Sequence, residues 1–341
     1  MGMFNPSFRI SPELLGLLTQ TTELKAWITE AVVDVPWLPK LQRDTAARLA
    51  HSSTAIEGNA LALPEVEALA RGEVTGAPEK ASQEVKNSLA AMRWIWSKSS
   101  GSAITENDLL HLHKLLMTKL LPKEASGRYK AKHNRIIDHA GRTIYTPPGP
   151  ERSKTLTREL IAWTNSPDAA KLHPVIINGI AHHQLVSIHP FADGNGRIAR
   201  ALGVWLLYTR GFDTQHLFAL DEFYEEDRQR YYDKIQQARD LDGDLSFWLE
   251  YSAQAVLDTL KKTRDRIVSL QVSAKAPRLR LTKRQEDVLR FLRDRGRVKA
   301  PDIEAAFRLT RARVGQIIKP LVEAGLVIRE GQTRATTYRL A

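Results

Sequence analysis

The 341-residue sequence contains no cysteine, which excludes disulfide bonds, thiolate metal sites and cysteine nucleophiles. It also lacks any apolar run near the ~20 residues that a membrane-spanning helix needs. The longest such run, around residues 201–208, is less than half that length. The first twenty residues show no basic-then-apolar pattern of a secretory signal. These absences predict a cytoplasmic protein without a membrane partner.

Apolar and charged residues are present in ordinary proportions, at 43% and 26%. Such fractions are typical of globular proteins and argue against a disordered or fibrous chain. The charge, however, is unevenly placed. Residues 278–341 hold 16 Lys and Arg against 7 Asp and Glu, so this segment carries +9 of the chain's net +11. The asymmetry suggests a basic C-terminal module with a polyanionic partner.

Most of the chain before this module is predicted to be helical. A helix over about residues 38–55 should end at Glu57-Gly58-Asn59, because glycine suits the position that follows a helix C-terminus. Two short β-prone segments at residues 136–137 and 143–145 flank a turn-forming stretch. They predict a short exposed hairpin.

The basic module shows the pattern of a winged helix-turn-helix, with three helices followed by two β-prone segments. The helices are expected at residues 282–295, 300–307 and 310–324, and the β-prone segments at 327–330 and 336–340. Arg311 and Arg313 start the third helix and Arg334 lies in the wing, so these cations are candidates for DNA contact. Protein docking is the alternative role for such a module.

Residues 189–200 carry the strongest functional signal. Gly194-Asn195-Gly196 stands directly before an apolar helix. Glycines allow close approach of a ligand to the backbone, and a helix N-terminus offers free N–H donors to a phosphate. Arg197 and Arg200 lie one turn apart, so both guanidinium groups can face the same anion.

Two further side chains complete this loop. Asp193 supplies a hard oxygen ligand of the kind that Mg²⁺ uses when it bridges phosphates. His189 is the group there that can act as a general base near neutral pH. His182 and His183 precede it on one predicted helix, but two adjacent residues cannot both face His189, so packing is favoured over a metal site for this pair.

The loop His189-Pro-Phe-Ala-Asp-Gly-Asn-Gly-Arg-Ile-Ala-Arg200 resembles the signature of the Fic family, H-P-F-x-[DE]-G-N-G-R-x-x-R, at every specified position. Similarity to the family extends over roughly residues 40–255. The resemblance implies a mainly α fold, with a Fic-type helical core and a short β-hairpin flap, followed here by the winged helix-turn-helix domain. It divides the chain into an N-terminal helical region (1–100), a catalytic core (101–272), a linker (273–280) and the basic domain (281–341).

The resemblance implies transfer of AMP from Mg-ATP to a Ser, Thr or Tyr hydroxyl of a target protein or of the chain itself. His189 would deprotonate the hydroxyl, and Asp193 would hold Mg²⁺. Gly194, Asn195 and Gly196 would cradle the phosphates. Arg197 would stabilise the β-phosphate and Arg200 the γ-phosphate.

Two more segments follow from the resemblance. The flap, at about residues 136–145, would dock the target backbone as an added strand, with Arg142, Thr143, Ile144 and Tyr145 nearest the nucleotide. The alternative is a plain surface hairpin. Tyr231 and Tyr232 match a pair that lies beside the adenine and ribose in many relatives, although half-buried packing explains such a pair equally well. Arg239 stands where some relatives carry Asn, which leaves the purine contact open.

Ser53-Thr-Ala-Ile-Glu57-Gly58 resembles the inhibitory motif [ST]-x-x-x-E-[GN] of the family. The match implies an inhibitory helix over about residues 41–58, in which Glu57 pairs with Arg200 and takes the place of the γ-phosphate. An Arg–carboxylate pair and an Arg–phosphate pair use the same donors, so the two states exclude each other. A common helix end is the plainer interpretation of these six residues.

Three alternatives remain open at this point. The chain could be a nucleotide-sensing DNA-binding regulator, a Fic enzyme that uses another donor, or one that removes AMP, for which the same glutamate serves in some relatives. Intact His189 and Asp193 favour catalysis, since a sensor needs no general base. The sequence also leaves open whether the chain forms a homodimer.

Overall fold

The computed structural model describes residues 4–32, 35–98, 100–137, 140–275, 281–331 and 336–340. Within these ranges the chain is mainly helical with a few short strands, which confirms the predicted fold class. It divides into two compact units, residues 1–268 and 269–341. None of the described helices combines the length and apolarity needed to span a membrane.

The helices that lie wholly in the first unit are α1 (Pro12–Ala31), α2 (Leu38–Ile56), α3 (Leu63–Ala70), α4 (Glu79–Trp96), α5 (Glu106–Leu116), α6 (Pro150–Thr164), α7 (Pro167–Ala170), α8 (Pro174–Ile188), α9 (Asn195–Thr209), α10 (Asp221–Glu226) and α11 (Arg228–Asp240). Helix α12 (Ser246–Lys275) begins in this unit and ends in the second. The linker predicted at 273–280 therefore starts inside α12, and residues 276–280 lie outside the described part of the chain.

Helices α8 and α9 form the centre of the first unit and make the most extensive helix–helix contact. Helix α8 is apolar on nearly every side and is buried along almost its whole length, as a helix without a polar face must be. The two helices approach closely at Gly203, where an added Cβ would lie 2.2 Å from Oδ1 of the fully buried Asn178. This contact leaves no room for a side chain.

Helix α2 packs against α3, α4, α9 and α10. Its end is set as the sequence predicts: Gly58 adopts a left-handed φ of 94°, and its N–H donates to the Ala55 carbonyl at 2.9 Å. The packing brings the end of α2 to the start of α9.

The predicted hairpin is present as strands β1 (Ile136–Ile137) and β2 (Thr143–Tyr145). They pair antiparallel, with Ile136 opposite Tyr145 and an irregularity after it. Ile137 and Ile144 expose 60% and 46% of their surface, so the hairpin presents apolar side chains to solvent.

The second unit has its own small core and its own sheet. Its elements after α12 are α13 (Lys283–Arg295), β3 (Val298–Lys299), α14 (Ala300–Phe307), α15 (Arg311–Glu323), β4 (Val327–Glu330) and β5 (Thr337–Leu340). The strands are antiparallel in the order β3-β5-β4. Sequence reasoning found the three helices and two of the strands, but missed the two-residue β3. Arg334 lies outside the described residues.

The close contact at Gly203 predicts a stability effect. Replacing Gly203 with Ala should destabilise the first unit by roughly 1–3 kcal/mol, because Asn178 must move within a packed core. All seven tryptophans fall within residues 1–268, so urea unfolding followed by tryptophan fluorescence reports on this unit.

Gly16→Ala in α1 is the matched control, since an added Cβ there meets nothing within 4 Å. It should stabilise the unit by about 0.5–1 kcal/mol, through higher helix propensity. Equal effects of the two substitutions would contradict the proposed packing at Gly203.

Candidate active site

The loop between α8 and α9 turns sharply at both of its ends. His189 follows α8 in a left-handed conformation with φ 51° and ψ 56°, and its N–H donates to the Leu185 carbonyl at 3.0 Å. Gly194 precedes α9, also left-handed, with φ 77°. Because of these two turns, the imidazole of His189 and the N-terminus of α9 stand at the two ends of one short loop.

The imidazole of His189 is held as a neutral base. Its Nδ1 lies 3.2 Å from the Val186 carbonyl oxygen, which can only accept, so Nδ1 carries the proton and Nε2 is left with a free lone pair. Burial lowers the pKa of His189 to about 4, and the nearby cations of Lys130 and Arg239 act in the same direction. At neutral pH this side chain is therefore unprotonated at Nε2.

Asn195 closes the loop on itself. Its buried side chain accepts from the Phe191 N–H and donates to the Phe191 carbonyl, both at 2.9 Å. Sequence similarity predicts Asn195 in the phosphate cradle, but its side-chain amide is bonded to Phe191 within the loop. The backbone N–H groups at the start of α9 remain as the anion donors.

His113 on α5 also supports the loop, and sequence reasoning assigned it no role in the site. Its Nε2 donates to the Asp193 carbonyl, and its Nδ1 accepts from the Gly127 N–H, both at 3.0 Å. The fully buried ring stacks on Phe191, with centroids 3.8 Å apart. A histidine on the apolar face of α5 was the available signal, but its partners are far away in sequence.

Asp193 and Arg197 face each other across the loop. The Asp193 carboxylate is 60% exposed, accepts from the Gly194 N–H at 2.5 Å and lies 3.5 Å from the buried Arg197 guanidinium. Among the described residues no cluster of three His, Cys, Asp or Glu could hold a metal alone. One exposed carboxylate beside a phosphate-type loop does fit Mg²⁺, which takes few protein ligands when phosphates supply the rest.

Arg200 is the most enclosed charge of the site, with 1% of its side chain exposed. Its Nε donates to Asp221 at 3.1 Å. One terminal nitrogen donates both to the Ser53 carbonyl at 2.9 Å and to Glu57 at 2.8 Å. Burial alone lowers the pKa of Arg200, but the negative charges of Glu57 and Asp221 help to outweigh it, and the pKa lies above its ordinary value. The arginine is charged and depends on these partners.

Glu57 reaches Arg200 from the end of α2 and lies over the first turn of α9. An added Cβ at Gly196 would lie 2.5 Å from the carboxylate of Glu57, so only glycine leaves space for it there. The Glu57 side chain is 29% exposed. The carboxylate thus lies beside Arg200, over the first turn of α9, at a position where another anion could pair with the same arginine.

The two adjacent tyrosines have different surroundings. Tyr231 is buried, and its hydroxyl lies 2.9 Å from Nε2 of His182. Tyr232 is 40% exposed and donates to the Ile56 carbonyl at 3.2 Å, which Arg228 also contacts at 3.3 Å. Tyr232 therefore contacts the last turn of α2 directly.

His183 is a buried packing residue in this structure. Its Nε2 donates to the Ile235 carbonyl at 3.1 Å, and burial lowers its pKa to about 4. His182 is hydrogen-bonded to Tyr231, so both histidines have partners inside the protein. This agrees with the packing role that the sequence favoured.

The flap residues lie at the edge of the same site. Arg142, Thr143 and Ile144 are exposed, whereas Tyr145 is half-buried beneath the Arg239 guanidinium. The Cζ atom of Arg239 is 3.9 Å from the centroid of the Tyr145 ring. The hairpin is therefore anchored at Tyr145 and exposed along β2.

Arg311 and Arg313 lie in the second unit, at the exposed start of α15. Thr310 caps this helix by accepting from the Arg313 N–H, and the Arg313 guanidinium donates to Gln316 at 2.8 Å. Both side chains are available to an external anion.

Comparison with known proteins finds similarity to one family. Residues 103–207 match the Fic/DOC family. A protein named Protein adenylyltransferase Fic from Nematostella vectensis is 30% identical over 214 residues, which is 62% of this chain and 47% of that protein. Its namesake from Aedes aegypti is 29% identical over 227 residues, 65% of this chain and 42% of that protein. The chain thus matches less than half the length of these curated relatives.

Solved structures show a similar fold. A Fic family protein from Desulfovibrio desulfuricans G20 superposes with a TM-score of 0.68 at 24% identity, covering 99% of this chain and 98% of that one. A fragment of Fic-1 from C. elegans gives a TM-score of 0.60 at 25% identity, covering 74% of this chain and 71% of the fragment. The first likeness extends over both units of the chain.

The buried histidines predict how stability depends on pH. His113, His183 and His189 have folded-state pKa values near 4, below the ordinary 6.5. Below pH 6.5 these histidines are protonated in the unfolded chain but remain unprotonated in the folded chain. The free energy of unfolding should therefore fall as pH drops from 6.5 towards 4, by about 1.4 kcal/mol per pH unit for each histidine.

His183→Gln tests this dependence, because the amide keeps a donor for Ile235 without titrating. Between about pH 7 and pH 5 the free energy of unfolding should fall less in the variant than in the wild type. The difference should be roughly the contribution of one histidine. Tryptophan-detected urea unfolding across this range measures it. Parallel curves for the two proteins would show that His183 does not titrate with a lowered pKa.

Proposed function

We propose that this chain, whose residues 103–207 form a Fic/DOC-family domain, is a self-inhibited protein adenylyltransferase. The observation that carries the proposal is a neutral histidine with a free Nε2 at one end of a cationic phosphate-type loop. The pairing of Arg200 with Glu57 supports the inhibition. The names of the relatives support the activity.

In this proposal His189 acts as the general base. Its Nε2 takes the proton of a Ser, Thr or Tyr hydroxyl on the target protein, and the oxygen attacks the α-phosphorus of ATP. A new P–O bond joins AMP to the target, while the bond to the β-phosphate breaks and pyrophosphate leaves. Such transfer depends mainly on positioning and charge neutralisation.

The phosphates are held by backbone and cations in this account. The amides at the start of α9 and the Arg197 guanidinium face the β-phosphate, and Arg200 binds the γ-phosphate. Asp193 would hold Mg²⁺, which supplies further charge neutralisation when bound. Neither His113 nor Asn195 contacts the nucleotide; both hold the loop in place.

The flap supplies the docking edge for the target. Strand β2 pairs with β1 on one side only among the described strands, and Thr143 and Ile144 are exposed on it. An extended segment of the target can pair with this edge through backbone hydrogen bonds.

Removing the inhibitory carboxylate should activate the protein. Glu57→Gly frees the Arg200 donor for the γ-phosphate, and hydrogen bonds between charged groups are worth ~1.5–3 kcal/mol. We therefore expect AMP transfer to rise by roughly 10- to 100-fold. The assay follows transfer of a radioactive α-phosphate label from ATP to the protein itself or to lysate proteins.

Glu57→Gly/His189→Ala is the control, since it keeps the open phosphate site but lacks the base. It should lose nearly all label, because a general base contributes ~10²–10⁴-fold. Label that persists in this double variant would rule out His189 as the base. No label in any variant would instead favour a nucleotide sensor, another donor or AMP removal.

We further propose that the second unit is a winged helix-turn-helix domain that binds nucleic acid. The net charge of +9 on residues 278–341 and the exposed Arg311 and Arg313 at the start of α15 carry this proposal. In such domains the second helix of the motif enters the major groove, where cations at its start reach phosphates and base edges.

Arg311→Ala/Arg313→Ala should weaken binding of a short mixed-sequence DNA duplex and lower its salt dependence. The slope of log affinity against log salt should decrease by about 2, since each phosphate contact contributes ~0.9. Fluorescence anisotropy measures both quantities. Lys319→Ala, on the same helix and paired with Glu323, is the control and should change little. Equal losses for both variants would point to general charge rather than to the start of α15.

A further inference from the structure

Arg239, in the last turn of α11, makes an unusual number of contacts for one side chain. Its Nε donates to the Ser187 hydroxyl at 3.0 Å, and its two terminal nitrogens donate to the Val186 carbonyl and to Gln236, each at 3.3 Å. Its face stacks on Tyr145. Every donor nitrogen and the π-face of the guanidinium are therefore in use.

Two of these contacts lie directly before His189. Ser187 and Val186 belong to the last turn of α8, and the Val186 carbonyl is the same oxygen that accepts from Nδ1 of His189. Arg239 and His189 thus share one acceptor. The guanidinium fixes the position of the oxygen that sets the tautomer of the imidazole.

The stacking contact lies on the flap. Tyr145 is the last residue of β2 and pairs with Ile136 of β1, so it belongs to the anchored end of the hairpin. A guanidinium at 3.9 Å from a half-buried ring is a close cation–π contact. The flap is held to α11 at this point.

We propose that Arg239 is a positioning residue that couples the flap to His189. One face of its guanidinium stacks on Tyr145, and its N–H donors bind the last turn of α8. Arg239 therefore fixes the distance between the flap, which would receive the target, and His189, which would deprotonate it. The inference rests on the proposed function for its consequence, but the coupling itself is a property of the protein alone. Lysine cannot replace arginine here, because it offers neither a planar face nor a fork of donors.

Two substitutions separate the charge of Arg239 from its shape. Arg239→Lys keeps the positive charge but loses the stacking on Tyr145 and the forked arrangement of donors. Arg239→Gln loses the charge, the stacking and the fork. The charged groups around His189 are Lys130 before the flap, Arg239 on α11 and Glu57 at the end of α2. Because Arg239 lowers the pKa of His189, the Gln variant should raise that pKa and the Lys variant should leave it nearly unchanged.

The first experiment needs no activity. NMR titration of the His189 imidazole and hydrogen–deuterium exchange of the flap amides are compared in the wild type, both Arg239 variants and Arg230→Lys. Arg230 is the matched control, since it lies on the same helix and stacks more loosely, at 5.8 Å, on Tyr251. Faster flap exchange in both Arg239 variants, with a raised His189 pKa in the Gln variant alone, is the expected result.

The second experiment measures AMP transfer in the Glu57→Gly background. Arg239→Lys should lower it by about tenfold or more through misplacement of the flap and the base. Tyr145→Ala should lower it in a non-additive way, so that the double variant is little worse than either single one. Arg239→Gln should also move the acid limb of the pH profile to higher pH.

Unchanged flap exchange and an unchanged His189 pKa in both Arg239 variants would overturn the proposal, whatever the activity. A uniform loss of transfer at all pH values, additive with Tyr145→Ala, would also overturn it and indicate a merely structural role. Absence of transfer in the Glu57→Gly parent would instead count against the proposed function, and NMR and exchange would still decide the coupling.

Discussion

The structure of the site depends on one buried charge, the guanidinium of Arg200. A cation with 1% of its side chain exposed must be balanced by fixed partners, or it destabilises the fold. Asp221 and Ser53 are buried together with the arginine. Glu57 is different, since its side chain is 29% exposed and enters from the end of α2. In the proposed function, this is the position around Arg200 at which a phosphate would replace the carboxylate.

The helices around Arg200 provide the space and the charge that this exchange would need. Helix α9 presents its N-terminus and a glycine at position 196, which leaves space for either anion. Helix α10 carries Asp221 to the far side of the guanidinium and packs against α2. In the proposed function, release of Glu57 would leave Arg200 paired with Asp221, so that the buried cation keeps a compensating charge when the γ-phosphate binds.

Hydrogen bonds hold the loop that is proposed to carry the chemistry. Side chains at and beyond its ends hold the backbone: the Asn195 amide bonds with Phe191, and His113 on α5 bonds with Asp193 and Gly127. His189 is locked by the Val186 carbonyl in one tautomer. A base that is neutral at rest and donors that are already oriented have little reorganisation to undergo during transfer.

Local sequence patterns predicted the features that local chemistry determines. The end of α2 at Glu57-Gly58 depends on a left-handed glycine, and so does the turn at Gly194 before α9. The mainly helical fold and the short hairpin were predicted in the same way.

Features that depend on contacts between distant segments could not be predicted. His113 was missed because Gly127 and Asp193 reach it only in the folded chain. The commitment of the Asn195 amide to Phe191 was missed because its residue type suits a phosphate cradle equally well. Arg239 was noted for its identity alone, and its stack on Tyr145 is visible only in three dimensions.

The central claim is that Glu57 and the γ-phosphate compete for Arg200. Calorimetric affinities for Mg-ATP and Mg-ADP in the wild type and in Glu57→Gly test it most directly, since the two nucleotides differ only in the γ-phosphate. The account predicts that Glu57→Gly binds ATP roughly tenfold more tightly or better, while ADP affinity changes little. An equal gain for both nucleotides, or none for ATP, would contradict it.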